Sequence, residues 1–182
     1  MAPFYNNTTQ GTVVHSAEGF KQKILANDGS DLASTTLATQ SSLSIPLGGY
    51  ERIMGKYTIW YDSDNTNELK FRVATLAQSD GSTAVASTIY TDVTARAEES
   101  TSADTPAAAN IEGTGTYSTD GAGEIVTIDV GADTSGLFLG VEFNVLVTAA
   151  TKSNLVFQAA LITGSASGTH LLAGSNIVYK KW

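Results

Sequence analysis

The chain has 182 residues, a formal net charge of -8, 42% hydrophobic and 15% charged residues, and no cysteine. This length and composition fit one globular domain with a real core. The negative charge argues against phosphate backbones and anionic lipid as partners, and the absence of cysteine excludes disulfides and thiolate metal sites.

Residues 1–19 carry little periodicity and predict an extended N-terminal arm with two aromatic residues near its tip, Phe4 and Tyr5. The opening "MAPFYNNTTQGTVVHS" has no basic segment followed by an apolar run, so we expect no signal peptide. The next stretch, "SAEGFKQKILAND", places Phe20 and Ile24 four residues apart. That spacing predicts one short helix, which would end at the turn-forming "NDG" of residues 27–29.

From Leu43 onward the hydrophobic period is two, which is typical of β-strands. The alternation over residues 57–61 puts Tyr57, Ile59 and Tyr61 on one face. The alternation over residues 69–73 puts Leu69, Phe71 and Val73 inward. Between them "DSDNTNE" has the composition of a turn, so the two segments predict a hairpin.

Small and polar residues dominate positions 78–123, which predicts short strands near 85–93 and 115–118 and a long acidic loop near 94–123. Sequence patterns typical of β-strands resume at 124–130, 137–150, 154–163 and 169–182, and the segments between them have turn compositions. In the segment 137–150 one alternate set is apolar without a break, which predicts a central strand. The sequence therefore predicts an all-β fold: one antiparallel, jelly-roll-like β-sandwich of about eight strands over residues 20–182.

The same "DSDNTNE" segment is the one candidate for a metal site, with Asp62 and Asp64 as ligands at alternating positions. An EF-hand loop needs Gly at its sixth position and Glu at its twelfth, whereas Asn67 and Val73 stand there. Asp and Asn favour turns because their side chains bond the local backbone. A turn without a cation is the favoured interpretation, and we expect no cofactor.

The residues give little support to catalysis. His15 and His170 are the only histidines, and the centre of "GSASG" is Ala166, so no G-x-S-x-G motif exists. A triad assembled from scattered serines, His170 and an aspartate is a minor alternative, and no pair of carboxylates has a recognisable catalytic setting. We predict that the protein is not an enzyme.

Aromatic residues offer a further kind of site. Stacking platforms for sugar rings could come from Trp60, Tyr57, Tyr61, Tyr90 or Tyr117, although core packing is favoured for most of them. Trp182, the last residue, must either fold back on the sandwich or contact a neighbour. Contact with a neighbouring chain is the favoured interpretation.

Two blocks resemble β-sandwich structural proteins of tailed bacteriophages. Residues 44–84 contain an aromatic-rich strand, an Asp/Asn/Thr turn and the strand "ELKF". Residues 141–182 contain a Gln-Ala strand, a Ser/Gly/Thr turn and "AGSNI" followed by Lys180 and Lys181. One departure is "QSDGSTA" where such proteins often have a Pro-x-Gly-Ala turn.

The resemblance implies a capsid decoration (cement) protein that binds the major capsid protein on the outside of the head as a homotrimer. Such a protein would assemble in the host cytoplasm and would have neither nucleic acid nor membrane as a partner. We expect Phe4, Tyr5 and Trp182 in its interfaces. The alternative is a tail-appendage or head-fibre module that binds a host receptor or glycan, and an enzyme of polysaccharide or ester hydrolysis ranks third.

Overall fold

The computed structural model describes residues 14–15, 19–63, 69–96, 111–128, 134–162 and 169–182. Within them lie thirteen β-strands and a turn of 3-10 helix at Ser41–Leu43. The strands are β1 (Val14–His15), β2 (Lys21–Ile24), β3 (Ala38–Thr39), β4 (Ile45–Leu47), β5 (Arg52–Ser63), β6 (Leu69–Ala77), β7 (Ser87–Arg96), β8 (Ile111–Ser118), β9 (Val126–Ile128), β10 (Thr134–Val147), β11 (Ser153–Leu161), β12 (His170–Leu171) and β13 (Asn176–Lys181).

These strands form two antiparallel sheets. The large sheet has eight strands in the order β1-β2-β13-β5-β10-β7-β8, with β12 also paired to β5. The small sheet has five strands in the order β3-β11-β6-β9, with β4 also paired to β11. Their apolar faces pack against each other, so the predicted all-β sandwich is confirmed, with more strands than the eight expected.

The long strands pair in a nested, jelly-roll-like way: β5 with β13, β6 with β11, and β7 with β10. Of this set, β6 and β11 lie in the small sheet and the other four strands in the large sheet. The nesting places β5 and β10 side by side in the middle of the large sheet. The prediction of a central strand near residues 137–150 is confirmed by β10, which has β5 on one side and β7 on the other.

The predicted hairpin across "DSDNTNE" is wrong, because β5 and β6 lie in different sheets. Both edges of β5 are occupied, one by β10 and the other by β13 and β12. The strand β6 instead pairs with β11 and β9. The predicted inward residues Tyr57, Tyr61, Leu69 and Phe71 are nevertheless all buried, because the period of two fixes the face and not the sheet.

The predicted short helix after residue 19 is also wrong, since Lys21–Ile24 is the strand β2. It lies along β13, with Gln22 opposite Val178. An isolated helix this short is marginal, whereas the free edge of β13 offers a full set of backbone hydrogen bonds. Lys23 anchors the strand by donating to the carbonyl of Ser44 at 2.6 Å, and its burial lowers the pKa of the amine.

Asp80 organises the loop "QSDGSTA", which stands in place of the Pro-x-Gly-Ala turn mentioned above. Its Oδ1 accepts hydrogen bonds from the backbone N–H groups of Ser82 and Thr83 at 2.8 and 2.9 Å. Bonds from the Thr83 side chain and from these amides lower the pKa of Asp80 to about 2. The loop therefore has a local hydrogen-bond frame that needs no proline.

Aromatic rings join the two sheets at the centre of the core. The ring of Tyr57 on β5 lies 5.2 Å from that of Phe143 on β10 and 5.4 Å from that of Phe157 on β11. Phe157 in turn stacks on Phe71 of β6 at 5.5 Å. These centroid distances fall in the range of favourable aromatic contacts.

Gly55 on β5 gives Phe143 the space it occupies. A Cβ at this position would lie 2.1 Å from the carbonyl oxygen of Val178 and 2.9 Å from Cζ of Phe143. The first contact is with backbone, so neither side can move without disturbing the pairing of β5 and β13. The close approach makes glycine a requirement at this site.

We expect Gly55→Ala to lower the free energy of unfolding by at least about 2 kcal/mol, because it overpacks a closed core. Urea denaturation measures the change. Gly48→Ala is the matched control, since a Cβ there meets only Glu51 Oε2 at 3.7 Å and should cost less than about 0.5 kcal/mol. Equal destabilisation by both variants would contradict this packing.

The Tyr57 hydroxyl is buried and forms no hydrogen bond with the part of the chain that the structure describes. Burial raises the pKa of Tyr57 far above its ordinary value. We expect Tyr57→Phe to leave the free energy of unfolding unchanged or raise it by about 1 kcal/mol, because it removes an unpaired polar group. Tyr57→Ala should instead cost about 3–5 kcal/mol through the cavity it leaves, and thermal unfolding of the two variants checks both signs.

Candidate functional site

The outer face of the large sheet carries most of the exposed apolar side chains among the described residues. Five of the seven large ones project from it: Met54, Tyr90, Tyr117, Leu146 and Trp182. Strand register arranges this face in rows that run across the strands. One row is Trp182, Arg52, Leu146 and Thr88; the next is Lys180, Met54, Asn144, Tyr90 and Tyr117; the third is Val178, Lys56, Glu142 and Asp92.

We call Tyr50, Arg52, Leu146 and Trp182 the end patch, because they lie where β5 begins and β10 and β13 end. Arg52 is the centre of this group. It is opposite Leu146 on one side and exchanges two backbone hydrogen bonds with Trp182 on the other. Since neighbouring strands are about 4.8 Å apart, Leu146 and Trp182 are about 10 Å apart across Arg52.

Trp182 is held in place by its backbone and leaves its ring exposed. Its N–H donates to the carbonyl of Arg52 at 2.9 Å, and the N–H of Arg52 returns a bond at 3.3 Å. The ring is 55% exposed and has the Arg52 guanidinium 5.9 Å and the Lys180 amine 5.7 Å from its centroid. Cation–π attraction at these distances favours one ring position.

Tyr50 is presented by a short pinned loop. It is 68% exposed and has a φ of 59°, which a tyrosine rarely adopts. Its N–H donates to the carbonyl of Ala149 at 3.1 Å. Glu51 fixes the other side by accepting from the Gly48 N–H at 2.7 Å and pairing with Lys181 at 2.9 Å. The strained backbone of Tyr50 carries an aromatic ring that faces solvent. Strained residues often cluster at functional sites.

Next to the end patch is a shallow groove of about 440 Å³, which we call the face groove. Its lining combines apolar and polar side chains: Phe20, Met54, Lys56, Tyr90, Asp92, Glu142, Asn144 and Val178, with Gly55 and Phe143 at its floor. Tyr90 on β7 is directly opposite Tyr117 on β8, and both are exposed, at 50% and 61%. Tyr90 thus lines one side of the groove and Phe20 the other, and Tyr117 lies next to Tyr90 outside the lining.

The polar groups of the face groove are partly engaged with each other. Lys56 Nζ lies 3.3 Å from Glu142 Oε1, and Arg52 Nε donates to Asn144 Oδ1 at 3.1 Å. Asp92 Oδ1 is out of contact with solvent and has no hydrogen-bond partner among the described residues. On β8 the residue opposite Asp92 is Gly115, which has no side chain.

Of the residues predicted as interface positions, the structure describes Trp182 alone. Trp182 both folds back through its backbone and presents its ring to solvent. Phe4 and Tyr5 lie outside the described residues, so the role of the arm stays a prediction. Asp64 also lies outside them, as do residues 97–110 of the predicted acidic loop, while 111–118 form the strand β8.

The weak metal candidate Asp62 and the minor catalytic candidate His170 are neighbours on paired strands. Asp62 is half-buried opposite His170, and His170 Nδ1 lies 3.3 Å from Asp31 Oδ1 without hydrogen-bond geometry. No group of three His, Asp or Glu side chains placed for a metal ion occurs among the residues described. The Asp31–His170 pair is partly open to solvent and not in a deep cleft.

Among the proposed stacking platforms, only Tyr90 and Tyr117 are exposed. Tyr57 and Tyr61 belong to the core, and burial raises the pKa of both. Trp60 is half-buried, with its ring 5.2 Å from that of Phe138. Core packing, the favoured expectation for most of these residues, is therefore what Tyr57 and Tyr61 show, and Trp60 is partly covered.

Sequence reasoning did not single out Tyr50, Arg52, Leu146 or Asn144. Leu146 lies on the polar parity of its strand and could have been noticed as an apolar residue on the wet face. Tyr50 carries no such signal, because its exposure depends on the left-handed backbone of its loop.

Comparison with known proteins assigns no family. The chain matches no protein-family model, and a search of curated protein sequences found no match. In the described ranges no helix is long and apolar enough to cross a membrane.

The two tryptophans allow a test of this geometry by fluorescence. In Trp60→Phe the emission comes from Trp182, which should be readily quenched by acrylamide because its ring is exposed. In Trp182→Phe it comes from Trp60, which should be quenched less and emit at shorter wavelength because it packs on Phe138. Equal quenching constants in the two variants would contradict the exposed position of Trp182.

Proposed function

We propose that this protein is a non-catalytic virion structural protein, a decoration (cement) protein that attaches as a homotrimer to the major capsid protein of a phage head. The end patch is the observation that carries the proposal. The resemblance of residues 44–84 and 141–182 to phage β-sandwich proteins supplies the assembly in which such a patch would act.

The composition of the end patch suits a protein partner. Tyr, Trp and Arg are the residue types most enriched among those that dominate protein–protein binding energy. Here Tyr50, Arg52 and Trp182 lie together on one rim of the sandwich, with Leu146 beside them. Such residues count most where they are central to an interface and lose their water on binding.

The end patch is also ordered before any partner arrives. The backbone pairing of Arg52 and Trp182 and the bonds around Glu51 and Tyr50 fix the positions from which both rings project. Ordering a side chain on binding costs about 0.5–1.5 kcal/mol. A patch whose backbone is already fixed avoids part of that cost.

In a trimer, a small contact of this kind would be sufficient for stable attachment to the shell. After one subunit has bound, the other two meet the shell at a high effective concentration, so the assembly dissociates far more slowly than a single contact. Stabilisation of the shell would then follow from bridging several capsid subunits. The proposed localisation is the outer surface of the head, after assembly in the host cytoplasm.

The proposal is tested by co-sedimentation with heads of the encoding phage prepared without this protein. Wild type should bind and should behave as a homotrimer in light scattering. Trp182→Ala and Tyr50→Gly should each weaken binding at least about tenfold, the loss expected when a dominant interface residue is removed. Tyr50→Gly relieves the strained backbone, so a loss of binding with an unchanged melting temperature would separate binding from folding.

Ile125→Ala is the matched control, since Ile125 is an equally exposed apolar residue just before β9 of the small sheet. It should bind as wild type does. Equal binding by Trp182→Ala and Ile125→Ala would rule out the end patch as the contact, and wild type that fails to bind heads would rule out the decoration function.

A further inference from the structure

We infer that the face groove is a binding site for a neutral oligosaccharide, presented on the outer face of the large sheet. The inference is independent of the proposed capsid attachment, because it rests on a different set of side chains. Its basis is the combination of exposed rings, unengaged polar atoms and local charge in the face groove.

The rings are placed to stack on sugars at both sides of the groove. Tyr90 and Tyr117 form an exposed pair on β7 and β8, and Phe20 lies across the groove beside Lys180, whose amine is 5.6 Å from the Phe20 centroid. Phe20 immediately precedes β2, and β2 and β7 are four strand spacings apart, about 19 Å. A linear glycan lying across the strands can therefore touch rings at both sides, through its apolar C–H faces.

Polar atoms for sugar hydroxyls lie between these rings. Asn144 uses Oδ1 to accept from Arg52, which leaves its Nδ2 without a bond to any described residue. Asp92 Oδ1 is a buried acceptor with no described partner, which costs free energy, and a turn of the carboxylate towards the groove would bring it to a donor on the ligand. A sugar hydroxyl is a neutral donor and acceptor that can satisfy both kinds of group.

The charges of the groove favour a neutral ligand. Glu142 and Asp92 face the Lys56 ammonium, which is paired with Glu142, and the Lys180 ammonium lies beside Phe20. The charges of the two signs at the groove therefore balance, within a chain whose net charge is -8. The groove offers no excess of cations to sugars bearing carboxylate, sulfate or phosphate, whereas hydroxyl-rich neutral sugars need none.

The face groove and the end patch are separable on the sheet. Tyr117 on β8 is four strand spacings, about 19 Å, from Trp182 beyond β13. A partner on the end patch can therefore leave the Tyr90–Tyr117 pair exposed. Separate sets of variants can then test the two surfaces.

The experiment applies the full chain to a printed array of neutral and acidic oligosaccharides from bacterial surface polysaccharides, followed by titration calorimetry with the best-retained neutral glycan. Wild type should retain at least one neutral glycan. Tyr90→Ala should weaken its affinity at least about tenfold, which corresponds to the loss of one good ring contact. Circular dichroism confirms the fold of each variant.

Asp92→Asn separates binding from stability. It should weaken glycan affinity several-fold, because a neutral amide accepts a weaker hydrogen bond than a carboxylate, while the melting temperature stays equal or rises, because a partly buried charge is removed. A purely structural role for Asp92 would not combine these two changes. Trp182→Ala and Ile125→Ala should retain the glycan as wild type does.

Three outcomes would overturn the inference: no neutral glycan retained by wild type, retention of acidic glycans alone, or equal affinity of Tyr90→Ala and wild type. Failure here and failure of the capsid proposal are distinguishable. Trp182→Ala reports on attachment to heads and Tyr90→Ala on glycan binding, and neither residue belongs to the other surface.

Discussion

The contact between Tyr57 of the large sheet and Phe157 of the small sheet fixes how the two layers meet. Each ring also packs on a second ring of its own layer, Phe143 for Tyr57 and Phe71 for Phe157, so the four form one block through the core. Because side chains alternate along a strand, this block also decides which residues face outward. A slip of one residue in β5 would bury Met54 and Lys56 and expose the tyrosines.

The end patch and the face groove follow from that register. Arg52 and Met54 come from the same strand, yet one lies beside Trp182 and the other in the groove, because successive outward residues fall in successive rows. The two surfaces are therefore rigidly related to each other. A protein that attaches through one and displays the other would hold its displayed face at a fixed angle to the surface that carries it.

The period of two predicted the fold class and the inward residues, because burial of one face is a local property of a strand. Leu139 to Val147 on β10 and Leu69 to Val73 on β6 show this well. The sheet assignment of β5 and β6 was not predictable in the same way, since it depends on competition for the edges of β5 between strands about eighty and more than a hundred residues away. The strand β2 shows the same limit: Gln22 pairs with Val178, and nothing near residue 22 signals that partner.

The surface was predictable only in part. Trp182 was identified from its position and aromatic character, and Tyr90 and Tyr117 were among the named platforms. The alternation along β5 already predicts that Trp60 and Tyr57 lie on opposite faces of the strand. It does not predict how far Tyr90 is exposed, because that depends on the strands beside it. The groove combines residues of β5, β7, β10 and β13, so it exists only once those strands are paired.

The position of β13 has a consequence for biosynthesis. This strand, Asn176–Lys181, lies inside the large sheet between β2 and β5, so it joins an early part of the chain to a late one. A nascent polypeptide cannot close the sheet until these residues have left the ribosome, and until then β2 has no partner on that side. Chains cut short by premature termination would expose unpaired strand edges, and quality-control proteases would remove them before they reached any assembly.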